Sequence, residues 1–467
     1  MGIPHGPTPC PYLTREFGGL ASPTILARRL PWSRRIRASI SFSGIIPLHS
    51  PFWQGKKRKK ARLAVPFPCQ KGRKIPVPLV TRPCLWYDMI INVISEGEVL
   101  SMSAVDYRRA LHRIPELDNQ LPETVQLVQR ILAPLPCRVF SPITGSVCAW
   151  FDAGKSDAVA FRAELDALPV TEATDLPYAS VHPGRMHACG HDAHTAMVLT
   201  LAEYAAEHLA ELPRNVLFLF QPSEETTGGA GKLCESGVLE RYRVRRIFGL
   251  HLWPGLEAGT IASRPGPLMA RSNEVTVTVE GRSVHMSRAD EGLDALTAGI
   301  SYLQRAYDMM EQLPPDQPRV LRFGKMVSGT VRNAISGRTV LEGSLRTYRE
   351  DTFRFCRQQL KDIGRSVAAE TGCSLDVHLS EGYPAVWNHE ELYQKIAAQL
   401  GDNAPTLMEK PVLAAEDFSF YQQYVPGLFF FLGTGDTPQL HAPDFTFDDE
   451  AVLPRGVEFL KKLLMLP

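Results

Sequence analysis

An α/β architecture, a central mixed sheet with helices on both faces and a small α+β unit inserted into it, is the fold that this 467-residue sequence predicts. Three observations predict it. Short, wholly apolar runs suited to strands covered on both faces alternate with amphipathic helical stretches, as in layered α/β proteins. The interval 271–382 has another texture, with half-buried alternating strands and two helices in β-α-β-β-α-β order, which is that of a ferredoxin-like sandwich. After it, "GLFFFLG" (427–433) returns to the earlier style, so the small unit lies inside the larger one.

Residues 1–101 precede this pattern and read differently. Up to residue 83 there are 16 Lys and Arg against one acid, Glu16, and residues 1–85 hold thirteen prolines and the run "KKRKK". Such a segment buries too little apolar surface to offset its ordering entropy. A functional reading makes it a nucleic-acid arm, a nuclear address or a transit peptide; the plain reading is a disordered extension, or sequence translated from upstream of the native start. Met102 is the alternative start, because helical periodicity begins just after it in "AVDYRRALHRIPELDNQLPETVQLVQRIL". Residues 84–467 carry 35 basic and 49 acidic residues, an acidic body without a basic surface for nucleic acid.

The strands expected next are "AVAFRAEL" (158–165), "NVLFLF" (215–220) and "RIFGLHLW" (246–253), with an amphipathic helix over 193–212. Within 271–382, "NEVTVTVEGRSVH", "RVLRFGKMV", "TVLEGSLRTY" and "CSLDVHL" read as strands, and "LDALTAGISYLQRAYDMMEQL" and "DTFRFCRQQLKDIGRSVAAE" as helices. No apolar run approaches the length of a membrane span, and the amino terminus lacks the pattern of a secretory signal. The nine cysteines include no CxxC pair and form no evident disulfide framework.

Chemistry-bearing residues gather after the strands, where open α/β sheets bind ligands. Asp166 follows the first strand, the pair Glu224–Glu225 the second, His251 sits in the third, and His441 lies in the loop beyond "GLFFFLG". "MHACGHDAHTAM" (186–197) adds Cys189 and His191 ahead of the helix; it is either a polar helix start or half of a metal site. Thiolate, imidazole and carboxylate are the usual ligands of zinc and its neighbours. On extended segments, Cys189 and His191 would point the same way and the adjacent glutamates oppositely, one to metal and one to substrate. A free carboxylate beside a metal-activated water is what hydrolysis needs as a proton shuttle. A lone His251 after a strand is more often structural, and His187 and His194 read as supporting or structural. His112 and His208 fall in helical patterns, whereas His5, His49, His182, His378 and His389 have no supporting context.

With these residues in hand, the body resembles the aminoacylase and carboxypeptidase family of metal-dependent amidohydrolases. The branch is that of hippurate hydrolase, bacterial N-acyl-amino-acid amidohydrolases and plant auxin-conjugate hydrolases. "RRALHRIPEL", "FRAELDALP", "MHACGHDAHTAM", "FQPSEE", "FGLHLWP", "VRNAISGRTVLEGSLRT", "AEDFSFY" and "LHAPDFTFDDE" carry the likeness in family order over about 102–467. The resemblance implies a metallopeptidase-like catalytic domain in two parts, 102–270 and 383–467, and a lid and dimerisation domain over 271–382. It implies two divalent ions (manganese, zinc or cobalt) held by Cys189, His191, Glu225, His251 and His441. Glu224 would be the general base, Asp166 would orient a metal ligand, His285 would reach a neighbouring subunit's site as oxyanion donor, and Asn333 and Arg346 would grip the substrate. Two departures stand out: the usual "GGHAAxPH" around the lid histidine is here "SVHMSRAD", and Glu164 stands where the branch commonly has aspartate. They bear on substrate preference and on what His285 contributes.

The expected function is hydrolysis of the amide bond of an N-acyl amino acid or similar conjugate by a cytoplasmic homodimer that binds neither nucleic acid nor membrane. A dipeptidase or aminopeptidase would use the same centre and accept a free α-amino group. A non-catalytic metal-binding receptor is the reading from another class, and an intact Glu224 speaks against it.

Overall fold

The structure is a computed structural model that describes residues 102–315 and 317–467. The expectations for a leader over 1–101 lie outside the described residues.

The stretch expected to be helical after Met102 forms two helices, α1 (Ala104–His112) and α2 (Pro122–Leu132). Pro115 disfavours helix in the residue before it and Pro122 starts the second helix, where a missing N–H costs nothing. The strands follow as β1 (Arg138–Phe140), β2 (Val147–Phe151), β3 (Ala158–Glu164), β4 (Asn215–Gln221) and β5 (Val244–Trp253). Helix α3 (His191–Glu207) lies between β3 and β4, and the short helices α4 (Gly229–Glu235) and α5 (Val238–Arg241) between β4 and β5. Strands β6 (Ile261–Ser263) and β7 (Gly266–Met269) close this half.

The four-stranded unit comprises β8 (Arg271–Glu280), α6 (Ala295–Glu311), β9 (Val320–Ser328), β10 (Arg338–Thr347), α7 (Glu350–Thr371) and β11 (Ser374–Leu379). Its strands are antiparallel in the order β11-β8-β10-β9, the ferredoxin-like arrangement. Val275, Val277 and Val279 of β8 turn inward against α6 and α7, a core of its own. His285 lies beyond β8 and not in it.

The chain then adds β12 (Val386–Asn388), α8 (Glu390–Leu400), β13 (Thr406–Leu407), a 3₁₀ turn over Asp417–Gln423, β14 (Gly427–Gly433) and α9 (Asp449–Leu464). The large sheet runs β1-β2-β4-β3-β5-β14-β6-β13 and is mixed, with β4, β3, β5 and β14 parallel at its centre. Alternate residues of these strands feed opposite cores. Val159, Phe161, Phe218 and Phe430 pack under α1, α2, α3, α8 and α9; Ala160, Leu217, Leu219 and Phe429 pack under α4, α5 and the 3₁₀ turn. Burial on both faces explains why these strands read as unbroken apolar runs. Among the described residues, no helix is long and apolar enough to cross a membrane.

Candidate active site

The carboxyl ends of β4 and β5 converge on one cavity of about 700 Å³. Cys189, Glu224, Glu225, His251 and His441 line it, together with Arg346 and Tyr383.

Gly190 positions the first donors. It is the residue before α3 and adopts φ +84°, so the backbone turns sharply between Cys189 and His191, which is the first helical residue. The segment is therefore not extended as expected; a left-handed glycine brings the two side chains to the site instead. Cys189 Sγ lies 3.4 Å from His251 Nε2 and 3.3 Å from His441 Nε2.

The glutamate pair is also not on extended backbone. Ser223 has φ +60°, and Glu224 and Glu225 occupy a turn. Asp166 dictates it: Oδ1 accepts from the Glu224 N–H at 3.1 Å and Oδ2 from the Glu225 N–H at 3.0 Å. Tyr383 fastens the same turn by donating its hydroxyl to the Glu224 carbonyl at 2.9 Å. The turn aims both carboxylates inward, Glu224 Oε2 and Glu225 Oε1 each lying 3.9 Å from His191 Nε2. Glu225 Oε1 is also 3.3 Å from His441 Nε2.

Backbone carbonyls set the histidine tautomers. His191 Nδ1 is 2.8 Å from the Asp166 carbonyl and His251 Nδ1 2.7 Å from that of Leu252. A carbonyl only accepts, so each Nδ1 carries the proton and each Nε2 offers a lone pair to the cavity. His191 Nε2 is buried without a hydrogen-bond partner among the described residues. His194 is spent elsewhere: Nδ1 donates to Glu164 at 2.8 Å and Nε2 accepts from the Leu252 N–H at 2.9 Å. His187 is buried and its ring nitrogens have no partner among the described residues; burial lowers its pKa to about 3.

These donors fit a divalent-metal centre. Two overlapping groups, Cys189–His191–His251 and Cys189–Glu225–His441, each have donor atoms within 4.8 Å of one another and share the thiol. The buried lone pair on His191, with no donor to satisfy it, is what a cation would complete. Charge points the same way. Burial and the carboxylates Glu225 and Glu224 push the Cys189 thiol well up, and burial with Glu416 and Glu225 pushes the Glu224 carboxyl well up. Burial also raises Asp166 to about 6, whereas Glu225 is drawn down to about 2 against its burial by His441 and His191.

The sequence reading did not single out the support beneath these groups. Arg162 is buried in β3; its Nε donates to Gln221 at 2.8 Å and its Nη2 to Glu416 at 2.9 Å and Asp417 at 2.5 Å, while Nη1 pairs with Glu164. Glu416, Asp417 and Glu224 form a further buried acidic group above it. An arginine in the apolar run "AVAFRAEL" is the signal that was available, since a buried guanidinium demands buried carboxylates.

His285 and Asn333 are not brought to this cavity within the chain. They neighbour each other in the four-stranded unit, where the Met286 N–H donates to the Asn333 carbonyl at 2.9 Å. His285 Nδ1 lies 2.9 Å from the Ser287 hydroxyl. Arg346, at the inner end of β10, does line the cavity and has no ion pair among the described residues.

Comparison with known proteins fits this geometry. Residues 160–466 match the description of peptidase family M20/M25/M40. The N-acetyldiaminopimelate deacetylase of Lacticaseibacillus paracasei is 35% identical over 362 residues, 75% of this chain and 94% of that protein. The deacetylase of the same name from Lactobacillus helveticus is 33% identical over 392 residues, 80% and 98% of the two chains. A dinuclear metal-binding M20 peptidase of Bacillus subtilis superposes with a TM-score of 0.67 at 30% identity, covering 81% of this chain and 98% of that one. This chain belongs to peptidase family M20/M25/M40.

Proposed function

We propose that the protein is a metal-dependent amidohydrolase that removes the acyl group from an N-acyl amino acid, in the manner named for its deacetylase relatives. The observation that carries this reading is a single cavity lined by Cys189, Glu225, His251, His441 and one further carboxylate, Glu224, with His191 grouped against them. Two divalent ions (manganese, zinc or cobalt) held by Cys189, His191, Glu225, His251 and His441 would supply Lewis acidity toward the scissile carbonyl and the attacking water.

Glu224 takes the proton from that water and delivers it to the leaving amine nitrogen. Asp166 holds the turn that aims Glu224 and fixes the tautomer of His191 through its own carbonyl. Arg346 receives the carboxylate of the amino-acid product side, a match suited to a planar guanidinium. The 102–270 and 383–467 segments act as the catalytic domain and 271–382 as a lid. His285 and Asn333, remote from the cavity of their own chain, serve the cavity of a second copy, with His285 donating to the developing oxyanion. Exposed Met326 and Val327 on the edge strand β9, with Leu296 and Ile300 on α6, support a homodimer formed through the lid. The six described cysteines are all free, which supports a reducing compartment, the cytoplasm.

The test is hydrolysis of N-acetyl amino acids and dipeptides by the manganese- or zinc-loaded protein, beside a Glu224→Gln variant. The variant is expected to lose about a hundred- to ten-thousandfold in kcat, the range of a general base, with metal affinity by calorimetry retained. Undiminished turnover in the variant sinks the assigned base, and preference for dipeptides over acylated amino acids favours the peptidase reading.

A further inference from the structure

The cavity lining carries one more charge, with no part in the proposed chemistry. Glu274, on β8, lines the same cavity as Glu224 and Arg346. Side chains of β8 alternate, with Asn273 and Val275 buried toward the helices and Ser272 and Glu274 on the other face. Across the ladder Arg346 pairs with Ser272 and Ser344 with Glu274, so Glu274 and Arg346 are diagonal neighbours on that face. Such neighbours have backbones about 7–8 Å apart, within reach of long side chains. Yet Glu274 and Arg346 form no ion pair with each other or with any other described residue. Ser380 holds the Glu274 backbone rather than its carboxylate: its hydroxyl accepts from the Glu274 N–H at 2.8 Å.

The cavity lining therefore presents a cation and an anion as diagonal neighbours on one sheet face, neither paired with another described residue. Divalent ions at the Cys189 centre would offset the carboxylates grouped with it, but Glu274 belongs to none of those groups. A substrate that satisfies both poles carries a carboxylate and, several bonds away, an ammonium. An acylated amino acid with an apolar side chain satisfies Arg346 alone.

We infer that Glu274 is a specificity-determining residue that selects N-acyl amino acids whose side chain ends in a primary ammonium group. This rests on the amidohydrolase reading for the chemistry, but on the cavity wall for the selection.

Nα-acetyl-lysine and Nα-acetyl-norleucine isolate the effect, because they differ by the ammonium alone. The metal-loaded protein is expected to prefer the lysine compound in kcat/KM. Glu274→Gln should lower the lysine-to-norleucine ratio roughly five- to tenfold, the weight of one charge-assisted contact at a partly wet site, and Glu274→Lys should lower it further. The ratio of dissociation constants, measured in the Glu224→Gln background with and without Glu274→Gln, should move the same way. A ratio unchanged within twofold in both variants overturns the assignment, as does the absence of any lysine preference in the parent. Binding selectivity that responds to Glu274 without turnover of either compound would remove the hydrolase reading and leave the assignment standing.

Discussion

His112 illustrates how much a residue's partners decide. On the sequence it is one more histidine on a helix; in the structure it is buried between Asp192, 2.7 Å from Nδ1, and Glu172, 3.4 Å from Nε2. Burial alone would strip its proton and Arg108 opposes the charge too, yet the two carboxylates raise its pKa above the ordinary 6.5. A raised histidine pKa means that the folded protein holds a proton the unfolded chain releases first. Its stabilisation is complete below about pH 6.5 and is lost as pH climbs through the raised value. His112→Gln should therefore flatten the decline of the urea midpoint as pH rises above 6.5; parallel profiles for the two proteins would exclude His112 as its source. The same limit applies to Arg162. That Cys189, His191, Glu225, His251 and His441 would gather was legible because it is written in residue type and in their position relative to the apolar strands. The partners of Arg162 were not, because Glu416 and Asp417 lie about 250 residues away in the chain and only the fold brings them near.

At the scale of elements, the central strands were readable almost to the residue, since burial on both faces leaves an unmistakable apolar run. The segments that deliver the donors were read less well. Pattern gives an extended default for 187–192 and 223–227, whereas Gly190 and Ser223 both adopt left-handed backbone there. A Cβ at Gly190 would meet Leu252 Cδ1 at 2.7 Å, besides the strain of positive φ. Gly190→Ala is thus expected to cost about 1–2 kcal/mol of stability, and to weaken metal binding by more than that loss explains, because Cys189 and His191 flank the position. Calorimetric titration beside thermal melts checks this; an unchanged metal affinity would show that the turn does not set the donors.

For the whole molecule, the inserted unit was legible from its change of texture, and its antiparallel order follows from its own strands. Whether two such units meet is decided by surfaces that pattern does not mark. Exposed β9 and α6 residues would have to seat on a second copy for His285 to reach a cavity. Mixing inactive Glu224→Gln and His285→Ala proteins in equal amounts should then restore about a quarter of the parent activity, because half of a random mixture is heterodimer with one complete site in two. Activity no greater than the sum of the separate variants would confine each site to one chain.

The place of β14 has a consequence for how the chain reaches this state. It pairs with β5 on one side and β6 on the other, although it follows β6 by more than 160 residues. Until residues 427–433 have left the ribosome, the apolar edge of β5 has no neighbour, while all strands of the four-stranded unit are already in hand. The inserted unit can therefore settle early, and the large sheet closes last, through a contact of high sequence separation that is slow to form. During synthesis the exposed edge, rather than any part of the finished surface, is where this protein is most open to aggregation and most dependent on chaperones.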